Sequence, residues 1–235
     1  STLFPYTTLF RSPAKKNPSW VVKHGNKYYY DPGLPEVRKY IVDSIAEVVQ
    51  NYDIDGVHFD DYFYPGVSFN DTATYQKYGK GQNKDDWRRE NVNTLLRDVK
   101  ASIKSIKPNV VFGVSPAGIW RNKSSDPTGS DTSGNESYVG TYADTRAWIK
   151  QGLIDYVVPQ LYWPIGLKAA DYSKLVAWWA NEVKGTNVDL YIGQGIYKQG
   201  QSSYGGQNIA KEIVQQVTLN RKYSEIKGSM YFSAK

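Results

Sequence analysis

Apolar residues recur at helical spacing from Pro35 to Tyr52, where Val37, Ile41, Ile45, Val48 and Val49 share one stripe behind an opening proline. Gly56–Asp60 then reads as a short strand. Asp86–Lys107 is helical again: Val92, Leu95, Leu96, Val99, Ile103 and Ile106 form its stripe, and Pro108 stops it. A strand over Val110–Val114 follows. Then come a helix near Ala143–Gln151, a strand over Ile154–Leu161, a helix around Asp171–Val183 and a strand over Asp189–Gly193. A helix around Asn208–Asn220 leads to the last strand, Gly228–Phe232. Near-continuous apolar strands, each reached through an amphipathic helix, predict a parallel α/β sheet.

A (β/α)8 TIM barrel fits this pattern best. No Gly-rich phosphate loop follows any strand. Polar and aromatic residues gather where strands end, at Asp60–Asp61, Ser115, Gln160–Tyr162–Trp163 and Gln194, and that end carries the active sites of such barrels. A doubly wound sheet is the alternative, since it also places sites at the carboxyl ends of strands. Five strands fall short of the eight a barrel needs. The expectation is therefore an N-terminally truncated barrel, with about five βα units present and the first strands missing. Residues 2–12, TLFPYTTLFRS, match the translation of a common sequencing adapter. Residues 1–12 are accordingly expected to be an artefact of assembly, and 13–235 a partial catalytic domain.

Composition narrows the chemistry. With no cysteine among 235 residues, disulfides and thiolate metal sites are excluded. The net charge of +6 is scattered and selects no partner. No run is apolar and long enough to span a membrane as a helix. Phosphate chemistry wants Gly-rich backbone and clustered lysines, and single-stranded nucleic acid wants an aromatic-basic ribbon; neither is present. Seven Trp and twenty Tyr, many beside strand ends, instead supply flat apolar faces and phenolic hydroxyls.

The sharpest local signal is HFDDY, residues 58–62. Side chains alternate along a strand. If Phe59 faces the surrounding helices, His58 and Asp60 face the barrel axis, and Asp61, at the turn, can tip into the mouth. Adjacent carboxylates repel, so one is hard to ionise, which suits acid catalysis; capping or loop anchoring is the plainer role. His58 reads first as a hydrogen-bonded core residue, because the other histidine, His24, is far off in sequence and a His-based metal site is not expected. In the loop SPAGIWRN, Trp120 offers a face for a sugar ring, and Arg121 and Asn122 offer hydrogen bonds. A buried loop tryptophan is the bland alternative. No nucleophile elbow surrounds Ser115. Gln160 and Tyr162 share a face at the end of PQLYW, with Trp163 as a wall, and YIGQGIY repeats the theme with Gln194 and Tyr197. Tyr62 completes the expected sugar contacts. Amides, phenols, indole faces and paired acids together suit a neutral polyol, with no cofactor implied.

These stretches resemble a known family. NPSW, DPGLPEVRKYI, NYDIDGVHFDDYFYP, DDWRRENVN, IKPNVVFGVSPAGIWRN, SYVGTYADTRAWI, IDYVVPQLYW and LYIGQGIY run along residues 17–235 in the order found in the bacterial glycosyl hydrolase-like family 10, a (β/α)8-barrel family. The resemblance implies a glycosidase, makes HFDDY the end of the fourth barrel strand, and implies an extracellular or cell-envelope location. Some family members resemble enzymes that cut cell-wall glycan strands.

Two carboxylates usually flank the scissile bond, about 5–5.5 Å apart for retention or about 6.5–9.5 Å for inversion, and neighbours on one strand fit neither geometry easily. They fit substrate assistance, in which the acetamide of an N-acetyl sugar is the nucleophile: Asp60 orients it, Asp61 protonates the leaving oxygen, and Tyr162 bonds the acetamide oxygen. The competing possibility pairs Asp60 or Asp61 with a carboxylate in a missing segment. Two other classes stay open: a sugar-binding protein that has lost catalysis, and a non-functional fragment of such an enzyme.

Overall fold

The computed structural model describes residues 13–201 and 208–233; the segment 1–12 lies outside the described residues. A short helix α1 (Pro13–Lys16) leads into an antiparallel hairpin of β1 (Val21–His24) and β2 (Lys27–Tyr30), which turns at Gly25–Asn26. The helix α2 (Pro35–Asn51) starts on a proline whose missing N–H costs nothing at that position.

The main sheet follows. Strand β3 (Gly56–Phe59) is linked to β4 (Val111–Val114) by α3 (Thr72–Tyr78) and α4 (Lys84–Ile106). Helices α5 (Ser137–Gly140) and α6 (Thr145–Lys150) lead to β5 (Tyr156–Val157), α7 (Tyr172–Val183) to β6 (Asp189–Gly195), and α8 (Ile209–Asn220) to β7 (Ile226–Phe232). All neighbours in this sheet are parallel, in the order β3-β4-β5-β6-β7. A doubly wound sheet reverses its order at a switch point, and this one never does. Strictly sequential order is the topology of a (β/α)8 barrel wall.

Helix caps mark where the elements begin. The Asn83 side chain accepts from the backbone N–H of Asp85 (2.9 Å) and Asp86 (3.3 Å) at the start of α4. Asp171 caps α7, and Asn208 caps α8. The core lies between the sheet and its helices. Val57, Phe112, Val114, Val157, Leu190 and Ile192 project outward onto Leu96, Val99, Ile103, Trp148, Leu175 and Trp179. Pro159 shortens β5 relative to the expected Ile154–Leu161: proline has no N–H for the ladder, and regular pairing gives way to isolated bridges from Gln160 to Ala117 and Gly193.

The opposite, inner face is layered. Tyr156 lies over Gly113, where an added Cβ would come within 2.3 Å of the ring. Its hydroxyl meets His58 Nδ1 at 3.0 Å, and its ring stands edge-on to Tyr191. Gly113→Ala is expected to push Tyr156 aside, break its bond to His58 and destabilise the fold by about 1–3 kcal/mol, the usual cost of overpacking. Denaturant unfolding checks this, and an unchanged midpoint would contradict it.

A buried ion pair fastens the loop after β3. The Arg88 guanidinium on α4 grips both oxygens of Asp71 (2.8 and 2.7 Å) and donates to the carbonyls of Val67 and Phe69 and to the Tyr142 hydroxyl. Lys84 adds a second cation 2.8 Å from Asp71. Burial pushes the Asp71 carboxyl up, but Arg88 and Lys84 outweigh it and hold it below its ordinary range. Among the described residues no helix is long and apolar enough to cross a membrane.

Candidate active site

The carboxyl ends of β3, β4 and β5 converge on one carboxylate. Along β3, Val57 is buried, Phe59 packs edge-on against Phe112 in the core, and His58 and Asp60 take the other face. Asp60 Oδ1 accepts two hydrogen bonds, from the Asp61 backbone N–H (3.0 Å) and from Gln160 Nε2 (2.9 Å). The same Gln160 amide donates to the Ser115 carbonyl at 3.0 Å, so the ends of three strands are laced together at Asp60. Asp61 is half-buried. Burial pushes its carboxyl up, and the charge of Asp60 pushes it further. One acid is thus held as a hydrogen-bond acceptor, while its neighbour's carboxyl is pushed up from the ordinary carboxylate range.

His58 lies one inward position earlier on the strand. Burial lowers its imidazole below the ordinary range against the opposing pull of Asp60. Its partner is Tyr156, which the sequence reading did not single out. Burial, then the charge of Asp60, keeps the Tyr162 hydroxyl protonated well above the usual phenol range. Tyr162 also packs beside Tyr197 and Phe232. Tyr62 follows the acids and is exposed.

Other expected contacts take different positions. Trp120 is 6% exposed: its ring stacks on Trp178, stands edge-on to Tyr138, and its Nε1 donates to Asp144 at 3.0 Å. The open sugar platform expected there is replaced by the loop's own core. Arg121 donates to Asp126 and the Ser125 carbonyl, and Asn122 is bonded to Glu136, Gly134 and Thr132. Both therefore brace the loop. Gln194 is fully buried and donates to Gln216 of α8 at 3.0 Å. It shares the outward face with Leu190 and Ile192, so it points away from the mouth. Trp163 packs against the core, and its carbonyl accepts from Gln216. Among the described residues no three His, Cys, Asp or Glu side chains gather as a metal site.

Residues 7–209 match the family described as glycosyl hydrolase-like 10. Glycosyl hydrolase YngK of Bacillus subtilis (strain 168) is 53% identical over 230 residues, covering 95% of this chain and 45% of the relative. Glycosyl hydrolase DigH of Escherichia coli (strain K12) is 47% identical over 241 residues, covering 96% of this chain and 54% of the relative. The chain thus spans about half the length of these curated relatives. Among solved structures, the PgaB (BpsB) glycoside hydrolase domain from Bordetella bronchiseptica superposes with a TM-score of 0.63 at 13% identity, covering 94% of this chain and 67% of that one. A chitinase (RmChi1) from Rhizomucor miehei gives 0.53 at 12% identity, with 86% and 71% covered. At such identities the structural likeness establishes the barrel fold and nothing finer.

Proposed function

The chain belongs to the glycosyl hydrolase-like 10 family, and on that premise we propose that it hydrolyses O-glycosidic bonds of an N-acetylated bacterial polysaccharide, such as cell-wall glycan strands. The observation that carries this reading is the unequal acid pair. Asp60 is fixed by two N–H donors, and Asp61 beside it is pushed toward its protonated form. A site that must both accept and donate a proton needs two such states together.

In the proposed sequence the free lone pairs of Asp60 accept the N–H of the substrate's acetamide and aim its carbonyl oxygen at the anomeric carbon. Asp61 gives its proton to the leaving oxygen as the glycosidic bond breaks. The acetamide oxygen bonds the anomeric carbon, forming a cyclic oxazolinium ion that Asp60 stabilises. The Asp61 carboxylate then takes a proton from the water that opens this ring, which returns Asp61 to its starting state. Tyr162, protonated and beside both acids, donates to the substrate. A substrate in the cell wall places the protein at the cell envelope or outside the cell.

Because the curated relatives are about twice as long, kinetic tests use residues 13–235 carried in place of the matching segment of the Bacillus subtilis relative. This graft is expected to release reducing ends from an N-acetylated glycan and to leave the same polymer uncut after complete de-N-acetylation. Equal rates on both would remove the acetamide from the mechanism. No cleavage of any polysaccharide offered would remove the glycosidase reading. Gln160→Leu deletes the side-chain donor to Asp60 and leaves only the Asp61 backbone N–H. Hydrogen bonds to charged groups are worth about 1.5–3 kcal/mol, so kcat is expected to fall at least ~10-fold while KM stays within about twofold. A change in KM alone would make Gln160 a binding group instead.

A further inference from the structure

Regular pairing of β5 ends early, and the chain beyond it is held by one neighbouring unit. The backbone N–H groups of Gln160 and Leu161 still donate to main-chain carbonyls, of Pro116 (2.9 Å) and Gly193 (3.0 Å). Beyond them, three main-chain groups turn to side chains instead. Lys198, in the helical turn Ile196–Lys198 after β6, donates to the Tyr162 carbonyl. Gln216 Nε2 of α8 donates to the Trp163 carbonyl at 3.1 Å. Glu212 Oε1, one turn earlier on α8, accepts from the Ile165 N–H at 2.7 Å. Gln216 Nε2 also donates to Glu212 at 3.0 Å, and its Oε1 accepts from Gln194 of β6 at 3.0 Å. Gln194, Lys198 and Gln216 are all buried. Buried main-chain groups need partners, and that alone would explain the bonds to residues 163 and 165. It does not explain Gln194. This side chain lies among Leu190 and Ile192, and its Oε1 has no partner among the described residues. A half-paired buried amide is costlier there than another leucine. What Gln194 does is hold Gln216 Oε1, which turns the Gln216 donors toward Trp163 and Glu212. The segment so held begins at Tyr162, two residues beyond the Gln160 that holds Asp60. Burial, then the charge of Asp60, acts on the Tyr162 hydroxyl, so it sits beside the acid pair.

We propose that Gln194, Lys198, Glu212 and Gln216 are positioning residues, a clamp that fixes the turn after β5 so that the Tyr162 hydroxyl meets the substrate beside Asp60 and Asp61. The four side chains act through Tyr162 and not on the substrate. Gln194 orients Gln216, Gln216 and Glu212 hold the main chain at residues 163 and 165, and Lys198 holds it at Tyr162 itself. A phenol hung on a main chain fixed on three groups keeps its aim, and small misplacements of such a group are expensive in rate. Gln194, which the sequence suggested as a sugar contact, serves the mouth from behind. The inference rests on the glycosidase reading for the reaction that Tyr162 serves, and its test separates the two.

The test uses the graft. Gln216→Leu keeps much of the side-chain volume and removes its donors, and it is expected to lower kcat about tenfold while KM stays within about twofold. In a Tyr162→Phe background the same change is expected to lower kcat less than about twofold, because the clamp then has no hydroxyl to aim. A merely structural glutamine would cost the same in both backgrounds. Glu212→Leu is expected to repeat the loss, and Glu212→Gln, whose amide oxygen still accepts the Ile165 N–H, to restore the rate. Glu212 is half-buried, so its variants read the clamp even where Gln216→Leu disturbs the core. A signature independent of turnover comes from fluorine NMR with a fluorinated tyrosine in place of Tyr162. Asp60→Asn is expected to shift that signal in the otherwise wild-type graft and to leave it unmoved in Gln216→Leu and Glu212→Leu, where the released ring no longer sits beside the acid. Equal loss of kcat in both Tyr162 backgrounds, or an Asp60-dependent shift that survives both leucine variants, would overturn the clamp. The expected pattern of shifts in a graft that cuts no glycan would leave the clamp standing and overturn the glycosidase reading instead.

Discussion

Asp61→Asn is expected to lower kcat on a polymeric glycan by at least ~10²-fold, the lower range for losing acid–base help, and to recover most of that loss on an aryl glycoside with an activated leaving group. Such a group departs without a proton, so the acid is no longer needed. Asp60→Asn is expected to lose as much on the polymer and to recover little, because orienting the acetamide matters whatever leaves. The pH profile follows from the raised carboxyl of Asp61. In the wild type kcat falls as pH rises through that raised value, and in Asp61→Asn this limb disappears. In the variant, stability moves opposite to activity. A carboxyl whose folded pKa lies above its unfolded value stabilises the fold only when protonated and destabilises it once ionised. Asp61→Asn is therefore expected to raise the midpoint of thermal unfolding near neutral pH. Equal rescue of both variants by the activated substrate would contradict the assignment of roles.

Arg88→Ala is expected to cost about 3–5 kcal/mol, as removal of one partner from a buried ion pair does. It strands the Asp71 carboxylate with Lys84 alone and leaves the carbonyls of Val67 and Phe69 without their guanidinium donor. The wild-type pair also sets the acid behaviour. Asp71 is held below its unfolded value, so its contribution is complete above the ordinary carboxylate range near pH 4 and is lost as pH falls through the lowered folded value. Denaturant unfolding at pH 7 and below pH 4 should show the gap between wild type and Arg88→Ala shrinking with acid. A loss under about 1 kcal/mol at pH 7 would make the pair a surface-like contact. Because this pair ties the loop after β3 to α4, kcat is expected to fall with it.

Much of the fold was legible because its elements carry period. The apolar stripes of α2 and α4 and the five apolar strands are in the sequence, and helical crossovers imply a parallel sheet; the sequential order that separates a barrel wall from a doubly wound sheet is seen only in the strand pairing. The β1–β2 hairpin was missed although Gly25–Asn26, a two-residue turn with the first residue at φ +59°, is a recognised hairpin signal. Its strands lack a clean alternation, and that hid them. At the site, the direction of Asp60 could be read because Val57 and Phe59 declare the outer face of β3. Gln194 was misread although Leu190 and Ile192 share its parity; the inner positions Gly193 and Gly195 have no side chains to declare their face. Trp120 and Arg121 look alike in sequence whether they meet a ligand or Trp178 and Asp126. Only packing distinguishes the two, and packing is a property of distant residues. Arg88 likewise needed Asp71 in space before its role could be seen.

The most direct measurement is the release of reducing ends from an N-acetylated glycan by the graft, its Asp60→Asn variant and its Asp61→Asn variant, with circular dichroism confirming equal folding. The proposed mechanism predicts steady release by the parent graft and a loss of at least ~10²-fold in each variant. Wild-type rates in both variants would contradict it and make the doubled aspartate a structural feature of the β3 end.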